Sequence, residues 1–237
     1  MELPLLTPVG DRCLAVSFGD RPDIDVNRRA CAFASHVRAA GWSFVTDVVP
    51  SFVSVALHYR PEAVPLRTGQ TPLSALEELV MALLAAPPPA DIAGPRTVEI
   101  PVCYGGDYGP DLAELSERAG MKPEDLVRQH TGVIGQVFMI GFAPGHPYIG
   151  VWGEAFDVPR RGTPRPRVPA GTVAVANRQC VIYPYDLPGG WNLIGRTPRV
   201  LFDPTAAEPC LLGPGDRVRF VAISPLEFAA LQPHPHA

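Results

Sequence analysis

The densest set of groups able to do chemistry lies between Arg160 and Arg199. Seven arginines (160, 161, 165, 167, 178, 196 and 199) stand there against one acid, Asp186, in a chain whose formal net charge is −4. A guanidinium offers a planar fork of donors that suits carboxylate or phosphate. The block therefore reads as a local positive field for a substrate carboxylate, a nucleotide phosphate or an acidic partner surface. Arg161, Arg165, Arg167 and Arg196 are the expected direct contacts, because proline and glycine neighbours fix the backbone around them. The competing reading for each is an ion pair with an acid elsewhere in the chain. Tyr148, Trp152, Tyr183 and Trp191 add aromatic surface, and Gln179 and Tyr183 are groups able to orient an amide.

Proton-moving groups are few. His130 closes a helix, where the C-terminal dipole favours its charged form. His146 is held in Pro144-Gly145-His146-Pro147, a rigid loop suited to a pocket. Cys180 is the only thiol of the block and sits between apolar strand residues, which marks an inert buried thiol. No serine occurs between Ser116 and Ser224, which excludes a nucleophile elbow there. Lys122 is the only lysine, so a P-loop and a Schiff-base lysine are excluded on this chain. No paired histidine or carboxylate spacing suggests a metal.

The acidic balance exerts no pull toward nucleic acid or anionic membrane, and no apolar run approaches the ~20 residues of a membrane span. Five scattered cysteines without a CxxC pair, and no readable signal peptide, indicate a cytoplasmic protein with reduced thiols.

The elements that must position these groups are of two textures. Residues 1–90 read as an α+β domain: a strand at Arg12–Phe18, and a helix at Val26–Ala40 with Asp25 as N-cap and Gly41 as stop. Strands follow at Trp42–Val49 and Ser51–Tyr59, then a helix from Pro72 capped by Thr71. With Thr97–Val102 as a last strand, the order matches a ferredoxin-like split βαβ unit. Ala86–Pro95, with three successive prolines, reads as a linker. Residues 96–230 then hold helices at Asp111–Ala119 and Pro123–His130. Short β-runs follow at Gln136–Ile140, Thr172–Ala176, Gln179–Tyr183, Arg199–Phe202 and Arg217–Ile223, the pattern of a barrel or sandwich with developed loops. The tail 232–237 reads as frayed.

Several ordered blocks carry a resemblance. GFAPGHPYIG at 141–150, PRRGTPRPRVPAGTVAVANRQCVIYP at 159–184, PGGWNLIGRTP at 188–198 and LFDP at 201–204 resemble the signatures of the family that holds the B component of 5-oxoprolinase, also called allophanate hydrolase subunit 1. This is also the carboxyltransferase C/D-subdomain family of urea carboxylases. The resemblance implies an α+β N-terminal domain followed by a cyclophilin-like β-barrel. It implies a subunit of an ATP-dependent enzyme that opens 5-oxo-L-proline to L-glutamate, with ATP used at the level of the complex. The partners implied are a subunit 2 of the carboxyltransferase A/B-subdomain family and a third component. Other members resemble a sporulation-kinase inhibitor that binds a histidine kinase, or form the carboxyltransferase half of urea carboxylase. His146 stands where the family usually has phenylalanine, and Asn177-Arg178-Gln179 replaces its usual glycine-rich run.

Overall fold

The computed structural model describes residues 3–87 and 95–232, and the chain divides into two compact units, Met1–Gly94 and Pro95–Ala237. Most of the expected linker, residues 88–94, and the tail 233–237 lie outside the described residues.

The first unit runs β1 (Leu5–Pro8), β2 (Cys13–Ser17), α1 (Ile24–Ala40), β3 (Val45–Pro50), β4 (Ser54–Tyr59) and α2 (Pro72–Ala85). Its sheet has the order β1-β2-β4-β3, every neighbouring pair antiparallel. Because β4 lies between β2 and β3, β2-α1-β3 is the expected split βαβ unit. The fourth strand differs from expectation: β1 takes that edge, and Thr97–Val102 belongs to the barrel. A four-residue edge strand ending in proline has little sequence signal. Apolar residues at helical spacing on α1 (Ala30, Phe33, Ala34, Val37) and on α2 (Leu76, Val80) bury against Leu14, Val16, Val55 and Leu57.

Asp23, not Asp25, caps α1: its Oδ1 accepts from the amides of Asp25 (2.8 Å) and Val26 (3.1 Å). Asp25 lies in the first turn, where it pairs with Arg28 at 2.9 Å. Gly41 ends the helix at φ 62°, a left-handed conformation that favours glycine. Thr71 and Ser74 form a capping box at the start of α2, with Pro72 opening the helix.

The second unit opens with β5 (Thr97–Tyr104), α3 (Leu112–Arg118) and α4 (Pro123–Thr131). It continues with β6 (Ile134–Ile140), β7 (Pro147–Gly150), β8 (Arg165–Val168), β9 (Thr172–Ala176) and β10 (Gln179–Ile182). The chain ends on β11 (Leu187–Gly189), β12 (Asn192–Arg196), β13 (Arg217–Ala222) and α5 (Pro225–Leu231). Seven strands close a barrel in the order β10-β7-β6-β13-β5-β12-β9, while β11 and β8 form a separate ribbon. Closure removes the exposed strand edges that would invite pairing with another chain. The expected strand Arg199–Phe202 is only an isolated bridge between Phe202 and Cys210. The real strand precedes it at Asn192–Arg196, before Pro198 interrupts.

Alternation along the strands divides the side chains. Val173, Val175, Cys180, Ile182 and Val218 fill the barrel interior with Val137, Ile149 and Phe220. Ala174, Ala176, Val181 and Leu193 face outward, into a second cluster with Val168 of the ribbon, Tyr183 and Trp191. Among the described residues no helix is long and apolar enough to cross a membrane.

Candidate functional site

The outward cluster holds the aromatic residues singled out by sequence. Antiparallel pairing sets Cys180 opposite Ile149 and Val181 opposite Tyr148. The same register, carried one step past each strand end, brings Tyr183 beside His146. Their rings stand 5.2 Å apart at 85°. Tyr148 lies 5.2 Å from His146 on one side and 6.1 Å from Trp191 on the other. Gly189 of the ribbon abuts the Tyr183 hydroxyl so closely that a Cβ there would meet it at 2.0 Å. Only glycine lets the ribbon lie this near. The loop before β7 is tied by His146 N–H to the Ala143 carbonyl (3.1 Å) and Gly141 N–H to the His146 carbonyl (3.1 Å). It holds Phe142, 63% exposed as a residue, at φ 70° with its ring edge-on to His146.

The arginines are distributed otherwise than the local charge count suggests. Asp111, at the start of α3 and only 5% exposed, accepts from Arg161 Nη1 at 3.1 Å, Arg165 Nη2 at 2.7 Å and the Leu193 amide at 2.7 Å. Arg161 also reaches Glu114 at 3.3 Å. The block's positive excess is therefore partly compensated by acids fifty residues upstream, which a count confined to 160–199 misses. Arg167 pairs with Asp186, which also accepts from the Ala170 amide at 2.9 Å. Arg196 Nε donates to the Ala170 carbonyl and Arg178 Nε to the Trp152 carbonyl. Arg167, Arg178 and Arg196 thus brace loops, and the expectation of direct anion contacts at Arg167 and Arg196 is left to a binding test. Arg165 keeps a second nitrogen, Nη1, that is buried and without a hydrogen-bond partner among the described residues. Arg160 stacks over the Trp191 ring at 4.8 Å, a cation–π arrangement. It also borders a surface pocket of about 440 Å³ with Arg118, Arg161 and Asn192.

Protonation follows burial. His146 is 1% exposed, and loss of hydration lowers its pKa to about 4, with the Arg160 charge acting in the same direction. Its Nδ1 has no hydrogen-bond partner among the described residues. Burial raises Tyr183 to about 12 and also raises Tyr148. Near neutral pH the cluster thus presents a neutral imidazole and a protonated phenol beside the Arg160 and Arg165 cations. Such a set offers positive charge and neutral hydrogen-bonding groups, the kinds of group that suit an anion or an amide.

The other expected residues lie elsewhere. His130 is wholly buried in the barrel interior, stacked on Trp152 at 5.0 Å, with Nδ1 2.8 Å from the Tyr104 hydroxyl. Burial lowers its pKa to about 3, so the helix-dipole expectation of a charged histidine is overturned by desolvation. It is not brought to the His146 cluster. Gln179 shares the outward face with Tyr183 but opposes Gly150 at the far end of β10. Sequence reasoning misses Asp111, Glu114 and Arg118, which α3 carries to this side of the barrel. A signal is present in the acidic and basic spacing of Asp111, Glu114 and Arg118, but by itself that spacing reads only as a helix.

Comparison with known proteins agrees with this architecture. The family described as carboxyltransferase domain, subdomain C and D, matches residues 4–212. The chain is 36% identical to the B component of 5-oxoprolinase from Bacillus subtilis over 225 residues, covering 94% of each. It is 49% identical to the corresponding 5-oxoprolinase component of Escherichia coli O157:H7 over 126 residues, 53% of this chain and 58% of that one. Among solved structures, TTHA0988 superposes with TM-score 0.78 at 35% identity, over 95% of this chain and 41% of the other. The chain thus spans about two-fifths of that longer protein. The Kluyveromyces lactis urea amidolyase shares the fold, at TM-score 0.69 and 17% identity over 96% of this chain and 15% of that one. With its model matched along most of the chain and a relative matched along nearly all of it, the protein belongs to the carboxyltransferase subdomain C and D family.

Proposed function

We propose that this chain is one subunit of an ATP-dependent 5-oxoprolinase, opening 5-oxo-L-proline to L-glutamate with a subunit-2 partner and a third component. The observation that carries the reading is the co-extensive match to a protein named as the B component of 5-oxoprolinase, 94% of both lengths. The geometry supports it in kind. 5-Oxoproline carries one carboxylate and one lactam amide. A guanidinium, Arg165 with its unpartnered Nη1, suits the carboxylate. The unpartnered His146 Nδ1 and the protonated Tyr183 hydroxyl suit the amide, and fixed dipoles aimed at developing charge are an effective catalytic device. ATP, acting at the level of the complex, supplies the activation that ring opening needs.

The reading requires a partner, because the sequence has no P-loop and no nucleophile–base pair is evident among the described residues. The test is ATP-dependent release of glutamate from 5-oxoproline. The purified chain alone is expected to be inactive and the reconstituted complex active. Turnover by the isolated chain overturns the dependence on partners; a complete complex inert toward 5-oxoproline overturns the substrate.

A further inference from the structure

The surface pocket between α3 and the loop after Pro159 has a charge balance of its own. Arg118, Arg160 and Arg161 border it, with Glu114 on the same rim and Asn192 beneath. Arg161 is held in place by Asp111 and Glu114. Arg165 lies behind it on the same Asp111 oxygen. Four guanidinium groups therefore share two carboxylates, which leaves two positive charges without a carboxylate partner. Arg118 and Arg160 make no ion pair among the described residues, and both are exposed. They approach the pocket from separate directions: Arg118 from the last turn of α3, Arg160 from its stack on Trp191. The stack limits the conformations of a long side chain and so lowers the entropy lost on gripping a ligand. Asn192 is committed to the Pro159 and Val175 carbonyls at 3.1 Å each. Those bonds tether the loop that carries Arg160 to the barrel wall.

We infer that this pocket is a binding site for a phosphoryl group, with Arg118 and Arg160 as direct contacts and Arg161 as a fixed third cation. A phosphate monoester carries about 1.5–2 negative charges at neutral pH and inorganic phosphate about 1.5, in either case more than one. That matches the uncompensated pair, whereas a single carboxylate neutralises only half of it. The site deepens the 5-oxoprolinase reading and rests on it only for the origin of the phosphoryl group, ATP or a phosphorylated amide.

The probe is inorganic phosphate, titrated into the full chain at constant ionic strength by calorimetry, with Trp191 emission as a second readout. A Trp42→Phe background removes the first unit's contribution to that emission. Saturable binding is expected, accompanied by a change in Trp191 emission because Arg160 leaves or tightens its stack. Arg118→Ala and Arg160→Ala are each expected to weaken it about tenfold or more, the scale of one charge-assisted hydrogen bond. Arg160→Lys should rescue only in part, since an ammonium lacks the planar fork. Arg199→Ala, an exposed arginine not on this pocket, should bind as the parent does. Both alanine variants alter exposed side chains, and circular dichroism confirms that each is folded. ATP competing with phosphate assigns the group to the nucleotide; failure to compete, with phosphate still bound, assigns it to the activated amide. The inference is overturned if phosphate does not saturate, if the two alanine variants bind like Arg199→Ala, or if 5-oxoproline is preferred over phosphate at this pocket. These outcomes are read without turnover, so they stand apart from success or failure of the glutamate-release assay.

Discussion

Asp111 is the residue on which the arginine arrangement turns, and replacing it with alanine gives a quantitative test. Its side chain is 7% exposed and its carboxylate receives three donors: Arg161 at 3.1 Å, Arg165 at 2.7 Å and the Leu193 amide at 2.7 Å. Removing one partner of a fully buried ion pair costs about 3–5 kcal/mol. Here the arginines are 34% and 27% exposed and can regain part of their hydration, which lowers the electrostatic cost. The Leu193 amide, on an interior-adjacent strand, loses its acceptor at about 1–3 kcal/mol. The terms share one residue and do not add. A net loss of about 3 kcal/mol results. With a urea dependence of about 2 kcal/mol per molar, the barrel midpoint should fall by about 1.5 M. The assay is urea unfolding followed by Trp152 and Trp191 fluorescence in a Trp42→Phe background. Asp111→Asn should fall between parent and alanine, since its carbonyl can still accept from Leu193. An Asp111→Ala barrel within about 0.5 M of the parent midpoint would refute the network, as would additive losses in the Asp111→Ala/Arg165→Met double variant.

Burial of His146 makes a pH prediction. Its folded pKa, about 4, lies below the ordinary value near 6.5, so the unfolded chain takes up the proton first as pH falls. Stability present above pH 6.5 is withdrawn between about 6.5 and 4, and His130, lowered to about 3, acts in the same direction. His146→Phe should fold at pH 7 and show a shallower acid limb in denaturation midpoints; an unchanged limb means the imidazole is not buried neutral. Arg167→Ala should cost under about 1 kcal/mol, because its pair with Asp186 is largely exposed, and should leave phosphate affinity untouched. A large loss of stability would show that the pair holds the fold more strongly than its exposure implies, and a loss of phosphate affinity would show that Arg167 contacts the ligand.

Much of the fold is legible in the sequence because periodicity and caps are local. Val26–Ala40 and the stretch from Pro72 carry helical spacing, and Thr71-Pro72 and Gly41 mark boundaries that need no knowledge of the rest of the chain. The differences fall where the deciding partner is distant. Thr97–Val102 looks like any β-run; its assignment to the barrel depends on parallel pairing with Arg217–Ala222, more than a hundred residues away. Pro147–Gly150 and Asn192–Arg196 do not read as strands because glycine and proline suppress the β signal, although both lie in the closed barrel.

The site shows the same division. His146, Tyr148 and Tyr183 stand out because a rigid Gly/Pro loop and a strand end are visible in sequence, and the barrel register then joins them. Charge is harder, since it acts through space. A window of seven arginines and one acid suggests a broad anion surface, but Asp111 and Glu114 arrive from α3 and hold Arg161 and Arg165. Among the described residues Arg160, Arg178, Arg196 and Arg199 are left without a carboxylate, and of these Arg160 shares a pocket with a further unpaired cation, Arg118 of α3. Arg118 is invisible as a site residue because α3 reads as an ordinary amphipathic helix until its contact with β12 is known. A difference in cost explains this: pairing within the fold takes the buried carboxylates first, since an unpaired buried charge is the costlier state. Ligand binding is left to cations that stay exposed and are held by something other than an acid. Arg160, held by an indole ring, fits that description better than any arginine whose fork already grips a carboxylate.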